Sequence, residues 1–356
     1  MTACIPMQIA ENGGIRHRLC SAGSPAVRWQ ILPASIQSRG NQRHNRAPDT
    51  ASSCRIRLDQ VLISVIIPAY NYAHLLPRAL DSVLVQMAAD IEVIVVNDGS
   101  TDATREVLAG YAIRHPQLRV IDQANAGAAA ARNHGIRESH GPYALLLDAD
   151  DELLPDALAK LRAVLATHPT AGMVLGAQIT VYPDGRERLR LPTAVPRTSP
   201  LRLAKRYLLE KRVSISHSCS LFRRDLLLQR PYPENLRGGE DVAVFAFLLV
   251  SAPVATTRAP LARIHKHADS LRHSRDDEEQ RAVAMVSEVF GGLPTECQTL
   301  RRRYEAQRFL SLFRAALLAG ERATARRYYR CAFRLSPLQS LRGRHLRKAI
   351  RLLLLR

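Results

Sequence analysis

The 356-residue sequence predicts an α/β fold built on a mostly parallel sheet with flanking helices. Three observations carry this. Between Val61 and Thr167, short apolar runs alternate with stretches of helical spacing, as strands joined by crossover helices do. The runs are apolar on both faces, which suits strands covered by helices. Composition is ordinary for a globular chain, 46% hydrophobic and 23% charged, which excludes a wholly disordered chain and a polytopic membrane protein.

Order begins at Val61. Leu62 to Ile67 reads as a buried strand ended by Pro68. Ala73 to Gln86 has helical spacing at Leu76, Leu80, Val83 and Leu84. Glu92 to Val96 is a second strand, running into Asn97-Asp98-Gly99-Ser100, and Thr101 to Tyr111 is a helix with Ser100 or Thr101 as N-cap. Leu118 to Ile121 is a third strand and Ala126 to Glu138 an Ala-rich helix. Tyr143 to Leu147 is a fourth strand, ending in Asp148-Ala149-Asp150-Asp151, and Leu153 to Thr167 is a helix. Farther on, Met173 to Tyr182 and Ile215 to Phe222 read as strands, Pro183-Asp184-Gly185 as a turn, and Asp241 to Val250 as a buried helix.

The flanks differ from this body. Residues 1–60 mix Ser, Arg, Asn, Gln, Pro and Gly without a period and read as a poorly ordered extension, or as an arm docked through Trp29. Residues 281–356 read as a basic helical region, and Ala319 to Pro337 resembles one tetratricopeptide helix-turn-helix unit. The net charge of +19 belongs to the ends: +5 over residues 1–60, +14 over 301–356 and zero between. Overall basicity is therefore no sign of nucleic-acid binding. The six cysteines show no C-x-x-C spacing, so neither a disulfide framework nor a zinc site is expected, and a reducing cytoplasm fits. No apolar run reaches membrane-spanning length, and Ile5 to Ala10 is too short for a secretory signal. A helix carrying Leu346, Ile350 and Leu353 or Leu354 on one face, with Arg344, Arg347, Lys348 and Arg351 beside it, can instead lie peripherally on an anionic membrane surface, or simply pack on the body.

In open α/β sheets, ligands bind at the carboxyl ends of the strands. Three of the first four strands run there into Tyr70-Asn71, Asp98-Gly99-Ser100 and Asp148-Ala149-Asp150, which implies one crevice lined with carboxylates. Carboxylates at i and i+2 (Asp148, Asp150) suit Mg²⁺ or Mn²⁺; taken alone, they also fit a solvated turn with Asp151 as a helix N-cap. Asp98 beside Gly99 can accept hydrogen bonds from a ribose or base, or can cap a turn. Tyr70 offers a stacking face and Asn71 an amide. Asn125, Gly127 and Arg132 combine a helix N-terminus with a guanidinium, which suits phosphate; a lone arginine is also commonly an ion-pair partner. Glu240 and Asp241 follow a Gly pair and offer a general base or an N-cap. His265 and His267, at i and i+2 on a strand, suit a metal, a phosphate or a plain surface pair.

The order of these blocks is more telling than any one. SVIIPAYN at 64–71, EVIVVNDGSTD at 92–102, NAGAAAARNHG at 125–135, LDADD at 147–151 and GED at 239–241 together resemble the family 2 glycosyltransferases, inverting enzymes of the GT-A fold, over roughly residues 61–270. The resemblance implies a GT-A domain at 61–280. It implies a sugar donor whose nucleotide lies against Pro68, Ala69, Tyr70 and Asp98, with Arg132 beside it. Asp148 and Asp150 would bracket ribose, metal and diphosphate, with Ala149 between them. Asp241, or else Glu240, would deprotonate the acceptor hydroxyl, and His267 with Ser270 would match a late His-x-x-Ser element near the diphosphate. A UDP-sugar is the expected donor, Mn²⁺ or Mg²⁺ the cofactor, and a cell-envelope glycan or lipid-linked molecule the acceptor. The four alanines between Gly127 and Arg132 are smaller than the family often carries. Two other readings share these carboxylates: a nucleotidyltransferase, which would want a Gly-rich phosphate loop with Lys that is not evident, and a non-catalytic nucleotide-sugar-binding protein on a membrane surface.

Overall fold

The computed structural model describes residues 62–236, 238–266 and 278–354. Among them the strands form one mixed sheet, ordered β3-β2-β1-β4-β8-β6-β9-β5, with β7 paired to β6. Strands β1 (Ile63–Ala69), β2 (Ile91–Asp98), β3 (Leu118–Gln123) and β4 (Tyr143–Leu146) make its parallel half. Every residue of β2 is buried, as a strand covered on both faces requires. Helices α1 (Leu76–Leu84), α2 (Thr104–Arg114) and α3 (Ala128–Glu138) are the crossovers. Strand order reverses at β1, since β2 lies on one side of it and β4 on the other, and the crevice of such sheets opens at that point. Helix α3 lies close to the sheet at Gly135, where a Cβ would stand 2.4 Å from Ile66 Cγ2.

The second half is more irregular. It holds β5 (Glu152–Leu153), α4 (Ala157–Thr167), β6 (Met173–Val181), β7 (Glu187–Arg190), α5 (Pro200–Ala204), β8 (Ser220–Arg223), α6 (Arg224–Gln229), α7 (Glu240–Ser251) and β9 (Val254–His265). Helix α5 continues as a π-helical turn over Lys205–Leu209. Strand β8 is antiparallel to both β4 and β6, while β9 runs parallel to β6 with register shifts near Ala177.

Helices α8 (Glu278–Gly291), α9 (Arg301–Leu318), α10 (Arg322–Leu335), α11 (Pro337–Ser340) and α12 (Gly343–Leu354) complete the chain. Val286, Val289, Phe290 and Tyr304 of α8 and α9 share a core with Ala243 and Ala246 of α7. Phe309 and Phe313 of α9 pack with Tyr328 of α10 and with Ala349 and Leu352 of α12. Cys219, Cys297 and Cys331 are free thiols, and among the described residues no helix is long and apolar enough to cross a membrane.

Several expected boundaries move, each for a local reason. Asn71 adopts φ +57° and its side chain ties down the loop, so α1 begins at Leu76 rather than Ala73. Helix α2 begins at Thr104, whose amide donates to Asp102 Oδ1 at 3.0 Å; Ser100 and Thr101 bond Asn71 instead of capping a helix. Residues 152–153 pair with β9, so α4 starts only at Ala157, and Asp151 caps no helix. The segment 215–219 is not strand, and the strand assigned there is confined to β8. Residues 319–337 hold one main helix, α10, partnered by α9, rather than a helix-turn-helix of their own. On α12 the buried stripe is His345, Ala349 and Leu352, which leaves Ile350 44% exposed. The N-terminal segment and Trp29 lie outside the described residues.

Candidate active site

The first loop is a backbone clamp. Tyr70 stands exposed at the end of β1, next to buried Ala69. The Asn71 amide nitrogen donates to Ser100 Oγ at 3.0 Å, and its Oδ1 accepts from the Thr101 amide at 2.7 Å. The Asn71 side chain thus locks the β1 loop to the β2 loop, a role its sequence position does not announce.

Asp98, at the end of β2, is 3% exposed. Its Oδ1 accepts from Gln123 Nε2 at 2.7 Å and the Ala126 amide at 2.9 Å, and its Oδ2 accepts from the Gly127 amide at 2.8 Å. A carboxylate has about four acceptor positions, so most of this one shapes the loop that enters α3. Asn125 and Gly127, the latter at φ +94°, are exposed on that loop.

Helix α3 carries the centre of the site. Arg132 lies five residues beyond Gly127, about 7.5 Å along a helix. Its side chain is 9% exposed; Nη2 donates to Asp148 Oδ1 at 2.9 Å and Nη1 to Glu240 Oε1 at 3.2 Å. The end of β4 is thereby joined to the first turn of α7. Burial opposes the Arg132 charge, but Asp148 and Glu240 more than offset it and raise its pKa. Burial likewise opposes ionisation of Asp148, and Arg132, with Lys266 adding to it, brings its pKa down. The guanidinium expected to face phosphate is thus held between two carboxylates.

The acidic run after β4 divides. Ala149 is buried, and Asp150, half-buried, accepts from Arg78 Nη2 through its backbone carbonyl. Asp151 turns inward, 3% exposed, with Oδ2 accepting from Ser218 Oγ at 2.6 Å and Oδ1 from the His265 amide at 3.0 Å. Burial and then Asp148 push its pKa up to about 8. The alternative of a solvated turn at Asp151 is therefore excluded.

Gly238 (φ +96°) and Gly239 (φ +77°) deliver the chain into α7. A Cβ on Gly239 would also meet Met285 Cε at 2.2 Å. Gly239 occupies the N-cap position, so Asp241 lies in the first turn and is not the cap. Burial, and after it Glu240, raises the Asp241 pKa, with Arg132 opposing. Glu240 is engaged by Arg132, whereas Asp241 forms no ion pair among the described residues.

Sequence reasoning missed the wall behind Arg132. Tyr232 is 1% exposed, its ring 5.8 Å from the guanidinium carbon, and its hydroxyl meets His217 Nε2 at 3.0 Å. Burial lowers the His217 pKa to about 3, so the imidazole is neutral. Asn133 holds the Tyr232 backbone at both its amide and carbonyl, 2.8 Å each. Only the flanking Pro231 and Pro233 hinted at a fixed loop there. His265 pairs with Glu152 at 3.4 Å, and His267 and Ser270 lie outside the described residues.

Among the described residues, no three His, Cys, Asp or Glu side chains converge as a ready cation cage. The two carboxylates at the crevice, Asp148 and Asp150, suit instead a Mg²⁺ or Mn²⁺ ion that takes one or two carboxylates and completes its shell with phosphate oxygens and water.

The parallel half of the sheet, with its flanking helices and acidic strand ends, is the arrangement that the GT-A resemblance implies. Residues 64–230 match the model of Glycosyl transferase family 2. The uncharacterized glycosyltransferase YibD of Escherichia coli (strain K12) is 44% identical over 93 residues, 26% of this chain and 27% of that one. The chondroitin synthase of Pasteurella multocida (strain Pm70) is 39% identical over 124 residues, 35% of this chain and 13% of that one. The chain thus spans about a quarter or less of these relatives. The succinoglycan biosynthesis protein ExoO of Rhizobium meliloti (strain 1021) is 32% identical over 200 residues, 52% of this chain and 55% of that protein. The S. aureus TarS 1-349 structure in complex with UDP-GlcNAc aligns at TM-score 0.59 and 21% identity, covering 78% of this chain and 84% of that one, a likeness of fold.

Proposed function

We propose that the protein is an inverting, metal-dependent glycosyltransferase. It moves a sugar from a nucleoside diphosphate donor, a UDP-sugar by preference, to a hydroxyl of a cell-envelope glycan or lipid-linked acceptor. The observation that carries this is Arg132, which joins Asp148 at the end of β4 to Glu240 at the start of α7. That one residue brings the diphosphate-handling end and the proton-accepting end into a single crevice.

The roles follow from the chemistry. Tyr70 stacks on the base, and the loop shaped by Asp98 receives the nucleotide. Asp148 and Asp150 would hold Mg²⁺ or Mn²⁺, which would supply a Lewis acid for the leaving diphosphate. Inversion is a single in-line displacement, so it needs a base and no nucleophilic side chain. Asp241 is that base: its raised pKa brings it nearer the working range of a general base, and Glu240 is already paired. The +14 charge of residues 301–356 supports peripheral contact with the inner face of a cell membrane, where lipid-linked acceptors reside. The UDP-GlcNAc complex of TarS names the first donor to try.

The test is nucleotide binding by calorimetry, with UDP, GDP and dTDP compared in the presence of Mn²⁺ and after chelation, followed by donor turnover. UDP binding that weakens strongly on chelation is expected. Equal binding with and without Mn²⁺ removes the metal from the scheme, and absence of any nucleoside diphosphate binding removes the transferase.

A further inference from the structure

Away from the crevice, α10 and α12 enclose an open groove of about 330 Å³ lined by Arg326, Tyr329, Arg330, Phe333, Arg334 and Leu352, with Ala349 at its floor. Its base is apolar: Ala349 and Leu352 are buried, and Phe333 is a 41% exposed aromatic on its wall. Its rim is cationic, because Arg326, Arg330 and Arg334 recur every four residues along one face of α10. Arg326 spends one nitrogen on the Leu352 carbonyl at 3.1 Å, and its buried Nε has no hydrogen-bond partner. Arg330 and Arg334 are exposed and form no ion pair among the described residues, whereas the neighbouring Arg327 pairs with Glu279 at 2.6 Å. Ile350 of α12, and Leu338 and Leu341 around α11, add exposed apolar side chains on the same three-helix segment.

Three guanidiniums beside an apolar slot fit a molecule with an anionic phosphate head and a hydrocarbon tail. We propose that this groove binds an anionic phospholipid of the membrane surface, the phosphate held by Arg330 and Arg334 and an acyl chain laid along Phe333 and Leu352. The docking element is therefore the seam between α10 and α12, not the α12 face alone. This deepens the membrane-contact part of the proposed function and rests on that part only.

The experiment is flotation of the full chain with phosphatidylcholine vesicles and with vesicles in which part of the lipid is phosphatidylglycerol. Binding to the anionic vesicles only is expected. Arg330→Gln with Arg334→Gln should lower it roughly twenty-five-fold at low salt, about fivefold for each charge. Phe333→Ser should weaken binding at low and at high salt alike, since it removes a tail contact rather than a charge. All three positions are exposed, so the variants keep the fold, and their nucleotide binding should match the parent. Equal partition onto neutral and anionic vesicles, or undiminished binding by the Arg330/Arg334 variant, overturns the proposal. So does light scattering that finds a dimer dissociated by Phe333→Ser with no vesicle binding, because the groove then holds a second copy of the chain. Failure of the transferase reading would appear separately, as loss of nucleotide binding with vesicle binding intact.

Discussion

In the crevice, Arg132 is 9% exposed and shared between two carboxylates, whereas on α10 Arg330 and Arg334 stand exposed with no ion pair among the described residues. The two regions carry the same side chain in opposite states. The sheet body is neutral overall, and its crevice arginine is used internally to fix geometry; the last 56 residues hold +14, much of it facing outward. A buried guanidinium must be paired because an isolated charge away from water is very costly. A solvated one needs no partner and remains available to something outside the molecule. Charge in the body therefore reads as architecture, and charge in the helices as an offer.

Substitutions in both regions sharpen this contrast. The largest effect is expected at Asp241. Asp241→Asn should lower turnover about 10²–10⁴-fold while sparing donor affinity. In the parent, turnover should climb with pH through the raised Asp241 pKa, because only the ionised carboxylate accepts a proton; the variant should lose that limb. A near-wild-type rate for Asp241→Asn would transfer the base to Glu240.

Next comes Arg132→Met, which leaves Asp148 and Glu240 facing each other without a cation. Urea denaturation should show a loss of about 3 kcal/mol, the scale of a broken buried pair. A loss near zero would mean the bridge is solvated and the contrast false. Gly135→Ala overpacks the α3–β1 contact and should cost about 1–2 kcal/mol. At the other end, Arg334→Gln should change stability by less than about 0.5 kcal/mol, as an exposed unpaired residue should. A large loss there would show that the outward arginines are structural after all.

The parallel half was legible because its strands are apolar on both faces and end in turn residues, so β1–β4 were each placed within two residues at either end, although β1 runs through Pro68 to Ala69 instead of ending at Pro68. Strands β5 and β7 were not assigned, and of β9 only the end at His265 was. Glu187–Arg190 is exposed throughout and has no apolar pattern to read. Along β9 the register shifts against β6, and Arg258 and Pro260 break the alternation. The polar residues at the strand ends were legible as candidates, but their partners were not. Arg132 and Glu240 are 108 positions apart, and nothing local tells a phosphate-facing arginine from a bridging one. Asp151 reads as a turn residue until Ser218 and the His265 backbone, 67 and 114 positions away, claim its oxygens.

Gly135 and Arg132 ride on the same helix, three residues apart. The missing methyl that lets α3 nestle on Ile66 therefore also sets how deep the guanidinium reaches. Any outward step of the helix is one its arginine must take too, so a fault in fit between helix and strand would surface as a fault in electrostatics one turn away on the same face.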